Sequence, residues 1–391
     1  MAASVLAGHG ITLYLSLARQ PKVRYGFTTL RGRRKNVMML VPDDLETPAV
    51  VVDAGQVERN LARMATASSH AGVALRPHAK THKCLPIARR QLFHGAVGLT
   101  VATLAEAELF ASDGCPNVFI AYPLWAESGD RGARLRALRQ RTSLRVGVDS
   151  VTAAERLADA VPGLTVLIEV DSGQHRSGVL PDEAGELAAS CLELGLDVAG
   201  AFTHPGHAYA SPADVPLAAE EERAALAAAG AALAEYLDGP PELSGGSSPT
   251  AASGLAGPLT EVRPGTYVFG DRQQMQLSGL DVDDVALVVA ARVVSVPRPG
   301  EAVLDAGSKT LSSDRPAWLA GHGLILETPK ATIAPLSEEH AVVRGLTTAL
   351  CVGDLVRVIP NHVCTVVNLT SELIVVSDGK VTDRWSVSAR R

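Results

Sequence analysis

The chain has 391 residues, 47% of them hydrophobic and 20% charged, with a formal charge of −6. That is ample apolar material for a large core; the acidic balance offers no basic footprint for nucleic acid, and no apolar run reaches the ~18 residues of a membrane-spanning helix. The five cysteines (Cys84, Cys115, Cys191, Cys351, Cys364) have no CxxC spacing, which argues against a disulfide framework and for a reducing, cytoplasmic compartment.

Residues 1–39 hold seven basic residues and no acid, so the remainder carries 29 basic against 42 acidic residues. The apolar stretch Ile11–Ala18 precedes all of those cations and has no clean cleavage site. The arm therefore reads as a disordered extension ahead of a natural start at Met38 or Met39, with a targeting segment as the alternative. Lysines are scarce, seven against 29 arginines, and none lies between Lys83 and Lys309. A chemistry that needs a lysine amine has few candidates.

From Thr47 short apolar runs alternate with Ala/Leu/Glu-rich amphipathic stretches. The runs are Ala49–Asp53, Ala74–Pro77, Gly98–Ala102, Val118–Tyr122, Leu144–Asp149, Val166–Asp171, Val198–Thr203, Glu242–Ser244 and Tyr267–Gly270. Strands buried on both faces read as continuous apolar runs, and helices between them make parallel crossovers. Eight or nine such units over residues 47–280 predict a (β/α)8 barrel. A doubly wound open sheet is the alternative, weakened by the lack of GxGxxG in the first turn. Over residues 281–391 helical patterns fade. Val285–Val296, Ala302–Asp305, Leu324–Glu327, His340–Arg344, Leu355–Ile359, Thr365–Leu369 and Leu373–Val376 predict a C-terminal all-β domain.

Barrel active sites lie at the C-terminal ends of strands. Lys80, in Arg-Pro-His-Ala-Lys-Thr-His-Lys at 76–83, closely follows an early strand. In a low-dielectric mouth such a lysine can lose its proton and form a Schiff base; a solvated loop lysine is the alternative. Arg176 follows the strand Val166–Val170 and can place a guanidinium over the mouth, or form a surface ion pair. His204, His207 and Tyr209 follow another strand and suit acid–base work or aromatic contact, although either histidine can be structural. Ser244-Gly245-Gly246-Ser247-Ser248 offers amides and hydroxyls to an anion, or is a plain Gly/Ser loop. In the β domain, His362 and Cys364 share one face if that segment is a strand. A nitrogen–sulfur pair favours Zn²⁺ over Mg²⁺ or Mn²⁺. A buried cysteine beside an unrelated histidine is the alternative.

In this order the five sets resemble the D-threonine aldolase and D-serine dehydratase-like family, within the alanine-racemase-like (fold-type III) pyridoxal-phosphate enzymes. The resemblance runs from about Glu46 to Trp385. Arg76–Lys83 and Pro-Asn-His-Val-Cys-Thr at 360–365 carry it most specifically, supported by Tyr267–Asp271. It implies that Lys80 holds pyridoxal 5'-phosphate and that Arg176 lies beside its phenolic oxygen. Gly245, Gly246, Ser247 and Ser248 would hold its phosphate, with Tyr209 and Tyr267 lining the site. His362 and Cys364 would bind a divalent cation near the substrate's β-hydroxyl, with His204 or His207 as a base. The implied substrate is a D-β-hydroxy amino acid. The His-x-Cys pair resembles the zinc-dependent dehydratase branch, whereas the aldolase branch resembles His-x-Asp with a Mn²⁺-type ion. Dehydration of D-serine is therefore expected ahead of D-threonine cleavage. Racemization, or cofactor binding without catalysis, fits the metal pair and the β domain less well. The fold class also implies a head-to-tail homodimer, in which the metal pair serves either its own or the partner's cofactor.

Overall fold

The computed structural model describes residues 39–126, 129–255 and 257–390, so the expected extension lies outside the described residues except for Met39. The chain enters through β1 (Ala49–Asp53), whose last residue caps the first helix, Ala54–Ala71; Asp53 Oδ1 accepts from the Gln56 amide at 2.7 Å. Eight parallel strands then follow: β2 (Ala74–Leu75), β3 (Leu99–Val101), β4 (Asn117–Pro123), β5 (Ser143–Val148), β6 (Thr165–Glu169), β7 (Asp197–Phe202), β8 (Glu242–Gly245) and β9 (Glu261–Val262). Each neighbours the next, and β9 pairs with β2. Between β2 and β3 the sheet is joined by a His78–Thr100 bridge and by the Val97 amide donating to the Leu75 carbonyl at 2.9 Å. This is the expected (β/α)8 barrel.

Packing explains the curl. Phe119 of β4, Leu167 of β6 and Phe202 of β7 form a layer separate from the main strand–helix core. The two phenyl rings meet edge to face, 5.0 Å between centroids. A Cβ on Gly147 of β5 would sit 2.6 Å from Phe202, so only glycine leaves room for that ring. Arg76 and Glu261, both buried, close the seam between β2 and β9 with an ion pair at 2.6 Å. Asn117 accepts the second guanidinium contact at 2.7 Å.

The second sheet contains β10 (Leu287–Ser295), β11 (Glu301–Leu304), β12 (Leu324–Ile325), β13 (Thr332–Leu336), β14 (Ala341–Arg344), β15 (Leu355–Ile359), β16 (Glu372–Ser377) and β17 (Lys380–Ser386). Its order is β13-β14-β11-β10-β1-β16-β17, with β15 pairing to β10 and β12. The antiparallel-rich β domain is as expected, but three local readings change. The run at β1, read as a barrel strand, pairs antiparallel with β10 and parallel with β16. Its unbroken apolar pattern suits any strand buried on both faces, and only long-range pairing assigns the sheet. The run at Tyr267–Gly270 is instead a short 3₁₀ turn, Thr266–Val268, while the eighth barrel strand is β9, too short to be read. Thr365–Leu369, rich in β-branched residues, lies in the helix Val363–Leu369. The buried Asp271 carboxylate accepts the Val363 amide at 3.0 Å, giving that helix an N-terminal partner from outside the segment. Among the described residues no helix is long and apolar enough to cross a membrane.

Candidate active site at the barrel mouth

A cavity of about 340 Å³ opens at the C-terminal ends of the barrel strands. Lys80, Arg176, His204, Tyr209, Gly246, Ser247 and Ser248 line it together with His362 and Cys364 from the second domain. The lysine and the metal-type pair of a single chain thus share one cavity. Three expected residues are not among its lining. Gly245 ends β8 inside the wall, where a Cβ would meet Glu222, Leu259 and Leu226. The Tyr267 hydroxyl accepts from Gln91 Nε2 at 3.2 Å, in the helix Leu85–Phe93. His207 Nε2 lies 2.9 Å from Glu221, and its ring packs behind the loop at Gly173.

Lys80 sits in a one-turn 3₁₀ segment, Ala79–Thr81, after the His78–Thr100 bridge. Burial, with the nearby Arg176 and Arg263 charges, pulls its ammonium below the ordinary lysine range, against the opposing charges of Cys364 and Glu106. The neighbouring Lys83 is fixed elsewhere, 3.2 Å from Glu106 and 2.9 Å from Asn368 Oδ1. Two histidines face Lys80. Burial, reinforced by the Lys80 charge, pushes His78 and His204 well below the usual histidine range, so both imidazoles are neutral at pH 7. Burial raises the Tyr209 phenol, which stays protonated against Gln274 and Thr266.

Arg263, two residues from Glu261 on the seam, is a lining residue that sequence reading missed. It donates to Ser244 Oγ at 2.6 Å and to the Thr203 carbonyl at 2.5 Å. Its guanidinium lies 5.3 Å from the Phe202 ring centroid and 5.7 Å from that of Phe119. Burial lowers even this group, to about 10, although the Glu261, Glu222 and Glu169 charges oppose the shift. Arg176, in contrast, is half exposed, with Glu169 3.8 Å away. A cation deep in the cavity and one at its rim flank the lysine. The Glu-Val-Arg-Pro-Gly stretch at 261–265 has too little strand pattern to have pointed to Arg263.

In the Gly/Ser loop, two of the donors expected for an anion are already taken. The Gly246 amide donates to the buried Glu222 carboxylate, and the Ser247 amide donates to Thr250 Oγ1 at 2.9 Å. Gly246 adopts φ +79°, and a Cβ there would collide with Val262. The donor left over is Ser248 Oγ, buried on the cavity wall without a partner. An unpaired buried hydroxyl is costly, so it marks a position for a ligand's acceptor.

His362 and Cys364 lie on the cap and first turn of the helix Val363–Leu369, not on a strand. Burial opposes the Cys364 thiolate, but the His362 charge and hydrogen bond, with Thr81 and Lys80, outweigh it and hold the thiol below its ordinary range. Thr81 Oγ1 is 3.3 Å from the sulfur, and Asp314 Oδ2 is 2.9 Å from His362 Nδ1. Among the described residues no third His, Cys, Asp or Glu completes a metal cluster. The pair would leave coordination positions for substrate, which is what a catalytic cation needs.

A pyridoxal-phosphate class of enzyme is defined by this barrel, with its strand-end lysine and its antiparallel-rich second domain. The chain belongs to the alanine-racemase N-terminal-domain family, whose model ("Alanine racemase, N-terminal domain") matches residues 52–273. The "Putative serine dehydratase domain" model matches residues 286–376, which sets the chain in the D-threonine aldolase and D-serine dehydratase-like lyase branch. It is 35% identical to the D-threo-3-hydroxyaspartate dehydratase of Delftia sp. over 82% of this chain and 91% of that one. It is 33% identical to an Arthrobacter D-threonine aldolase over 88% of this chain and 93% of that one. The Delftia dehydratase structure superposes with a TM-score of 0.80 at 32% identity, over 89% of this chain and 99% of that one. A D-threonine aldolase from Filomicrobium marinum gives 0.81 at 29% identity, over 90% and 98%.

Proposed function

We propose that the chain is a pyridoxal-phosphate- and divalent-metal-dependent lyase of D-β-hydroxy amino acids that eliminates water, acting on D-serine. The observation that carries this reading is the single cavity shared by Lys80 and the His362–Cys364 pair. The residues suit the cofactor: a deprotonatable lysine, an unpaired buried serine hydroxyl and two flanking guanidinium groups. Bound there, pyridoxal phosphate supplies an electron sink for charge developing at the substrate's α-carbon. A cation held by His362 and Cys364 would supply Lewis-acid polarisation of the β-hydroxyl.

The protein's own part is proton management. Burial lowers the proton affinity of Lys80, which favours the free amine that would hold the cofactor and accept the α-proton. Ser248 would donate to the phosphate, and Arg176 would bind the phenolic oxygen at the rim. Tyr209, held protonated, walls the cofactor pocket. Elimination needs the β-hydroxyl to leave with the cation's help and no strong base at that oxygen. Zinc is the preferred ion because the pair is nitrogen and thiolate sulfur. A cysteine-to-alanine variant of a D-threo-3-hydroxyaspartate dehydratase is described in a metal-free form.

A second reading is retro-aldol cleavage of D-threonine. The neutral His204 on the cavity wall favours it, since an imidazole there can take the β-hydroxyl proton. His207, paired with Glu221 away from the lining, is the weaker base candidate. Incubation of the loaded, zinc-supplemented enzyme with D-serine and D-threonine separates the readings. Pyruvate and ammonia from D-serine support elimination; glycine and acetaldehyde from D-threonine as the dominant products overturn it. We further propose a homodimer, which sedimentation tests, and a reducing cytoplasmic setting, in keeping with five free cysteines.

A further inference from the structure

Segment 312–323 leads from the short helix Ser308–Leu311 to β12. Ser312 starts it at φ 63° and ψ 160°, a conformation rare for a residue with a side chain, so contacts further along must hold the segment in place. Three do so. Trp318 Nε1 donates to the Tyr209 carbonyl at 3.1 Å. Asn361 Nδ2 donates to the carbonyls of Asp314 at 3.0 Å and Gly321 at 2.9 Å. Asp314 Oδ2 itself meets His362 Nδ1 at 2.9 Å.

A metal-binding imidazole offers one nitrogen to the ion, and the proton on the other is best held by a carboxylate or carbonyl. Here the carboxylate takes the Nδ1 side. The ring also faces the Cys364 sulfur, and the nitrogen left for that side is Nε2. Asp314 is not among the residues that line the cavity. Its carboxylate meets the histidine ring instead, and through that ring it can act on the site.

We propose that Asp314 is a positioning residue that keeps the His362 proton on Nδ1 and so turns Nε2 and its lone pair to the divalent cation. The role rests on the metal-dependent reading above. It predicts an effect on metal affinity that is separate from folding and from cofactor attachment. Asn361 holds the segment's backbone at the Asp314 and Gly321 carbonyls, so the Asp314 side chain can be changed without removing that anchor.

The test is the zinc dissociation constant of the pyridoxal-phosphate-loaded protein, measured by competition with a chromogenic chelator. D314A should weaken zinc binding by about 10- to 100-fold. D314N should stay within about threefold of the unmodified protein, because its side-chain oxygen still accepts the Nδ1 proton. The cofactor's visible band should be unchanged in both. W318F, which removes the contact to Tyr209, should leave zinc affinity unaltered. Unchanged affinity in D314A overturns the proposal. So does a loss in D314N as large as in D314A, which would assign the effect to charge alone, or a loss in W318F as large as in D314A, which would assign it to the whole segment. If the unmodified protein binds no zinc, the metal-dependent reading fails first and this role falls with it.

Discussion

The barrel presents Lys80 on a single turn after a two-residue strand, whereas the second domain presents His362 and Cys364 at the head of a helix. The lysine's surroundings are continuous with the core: His78 and His204 are half-buried on the cavity wall, and Arg263 is buried and rests on the aromatic layer between the strands. The metal-type pair is anchored by polar contacts of its own: Asp314 meets His362, and the buried Asp271 accepts the Val363 amide. Cofactor chemistry is thus tied to barrel integrity, and metal chemistry is mounted on a separately braced element. Changes on the second domain should remove one function and spare the other. Changes deep in the barrel should not separate them so cleanly.

The largest expected effect is at the lysine. K80A should abolish the visible cofactor band and lower turnover by at least about a thousandfold, since no other amine lies at the strand ends. A band that persists in K80A would break the comparison at its base. Next come C364A and H362A. Losing Lewis-acid polarisation costs several kcal/mol, or about a hundredfold or more in turnover. The cofactor band should remain, chelator should mimic both variants, and zinc should restore only the unmodified enzyme. Loss of the band along with activity would show that the two regions are not separable.

Stability changes in the barrel come third. E261A leaves the buried Arg76 guanidinium without its carboxylate at the β2–β9 seam and should cost about 3–5 kcal/mol in urea unfolding. A cost below about 1 kcal/mol would mean that the seam closes without this pair. The smallest effect is acid-dependent. The Cys84 amide donates to His82 Nδ1 at 3.1 Å, and His82 Nε2 donates to Gln91 Oε1 at 3.1 Å, so the ring is held neutral. Burial lowers its pKa to about 4. Between about 6.5 and about 4 the unfolded chain binds a proton there that the folded chain does not, so stability falls as pH falls through that window. H82N, whose side-chain oxygen can accept the Cys84 amide, should flatten the slope by up to about 1.4 kcal/mol per pH unit. Parallel slopes for both proteins in thermal melts at stepped pH would refute this.

Much of the site was legible because its polar residues are clustered directly after apolar runs. Lys80 stood out through lysine scarcity and strand-end position, and His362 with Cys364 through spacing. The pair's shared face came from a helix cap, not from strand alternation: an i, i+2 spacing suits both, and a remote carboxylate, Asp271, decided between them. Gly246 was read as an amide donor to phosphate, yet its amide is taken by Glu222 from the helix Val215–Leu233. Arg263 and Asp314 carried no local signal, since each earns its role from partners far along the chain.

What the amino-acid order determined by itself was therefore periodic and local: alternating apolar runs and amphipathic helices, a β-rich C-terminal part, and residue types suited to a Schiff base, an anion and a metal. Tertiary structure alone decided which sheet β1 joins, how two-residue strands close the barrel, and which donor in the Gly/Ser loop is left for a ligand. It also decided that Lys80 and the His–Cys pair of one chain face the same cavity. Strand pairing and burial are non-local: a run of valines is equally stable in either sheet, and an amine's proton affinity depends on charges brought to it by folding.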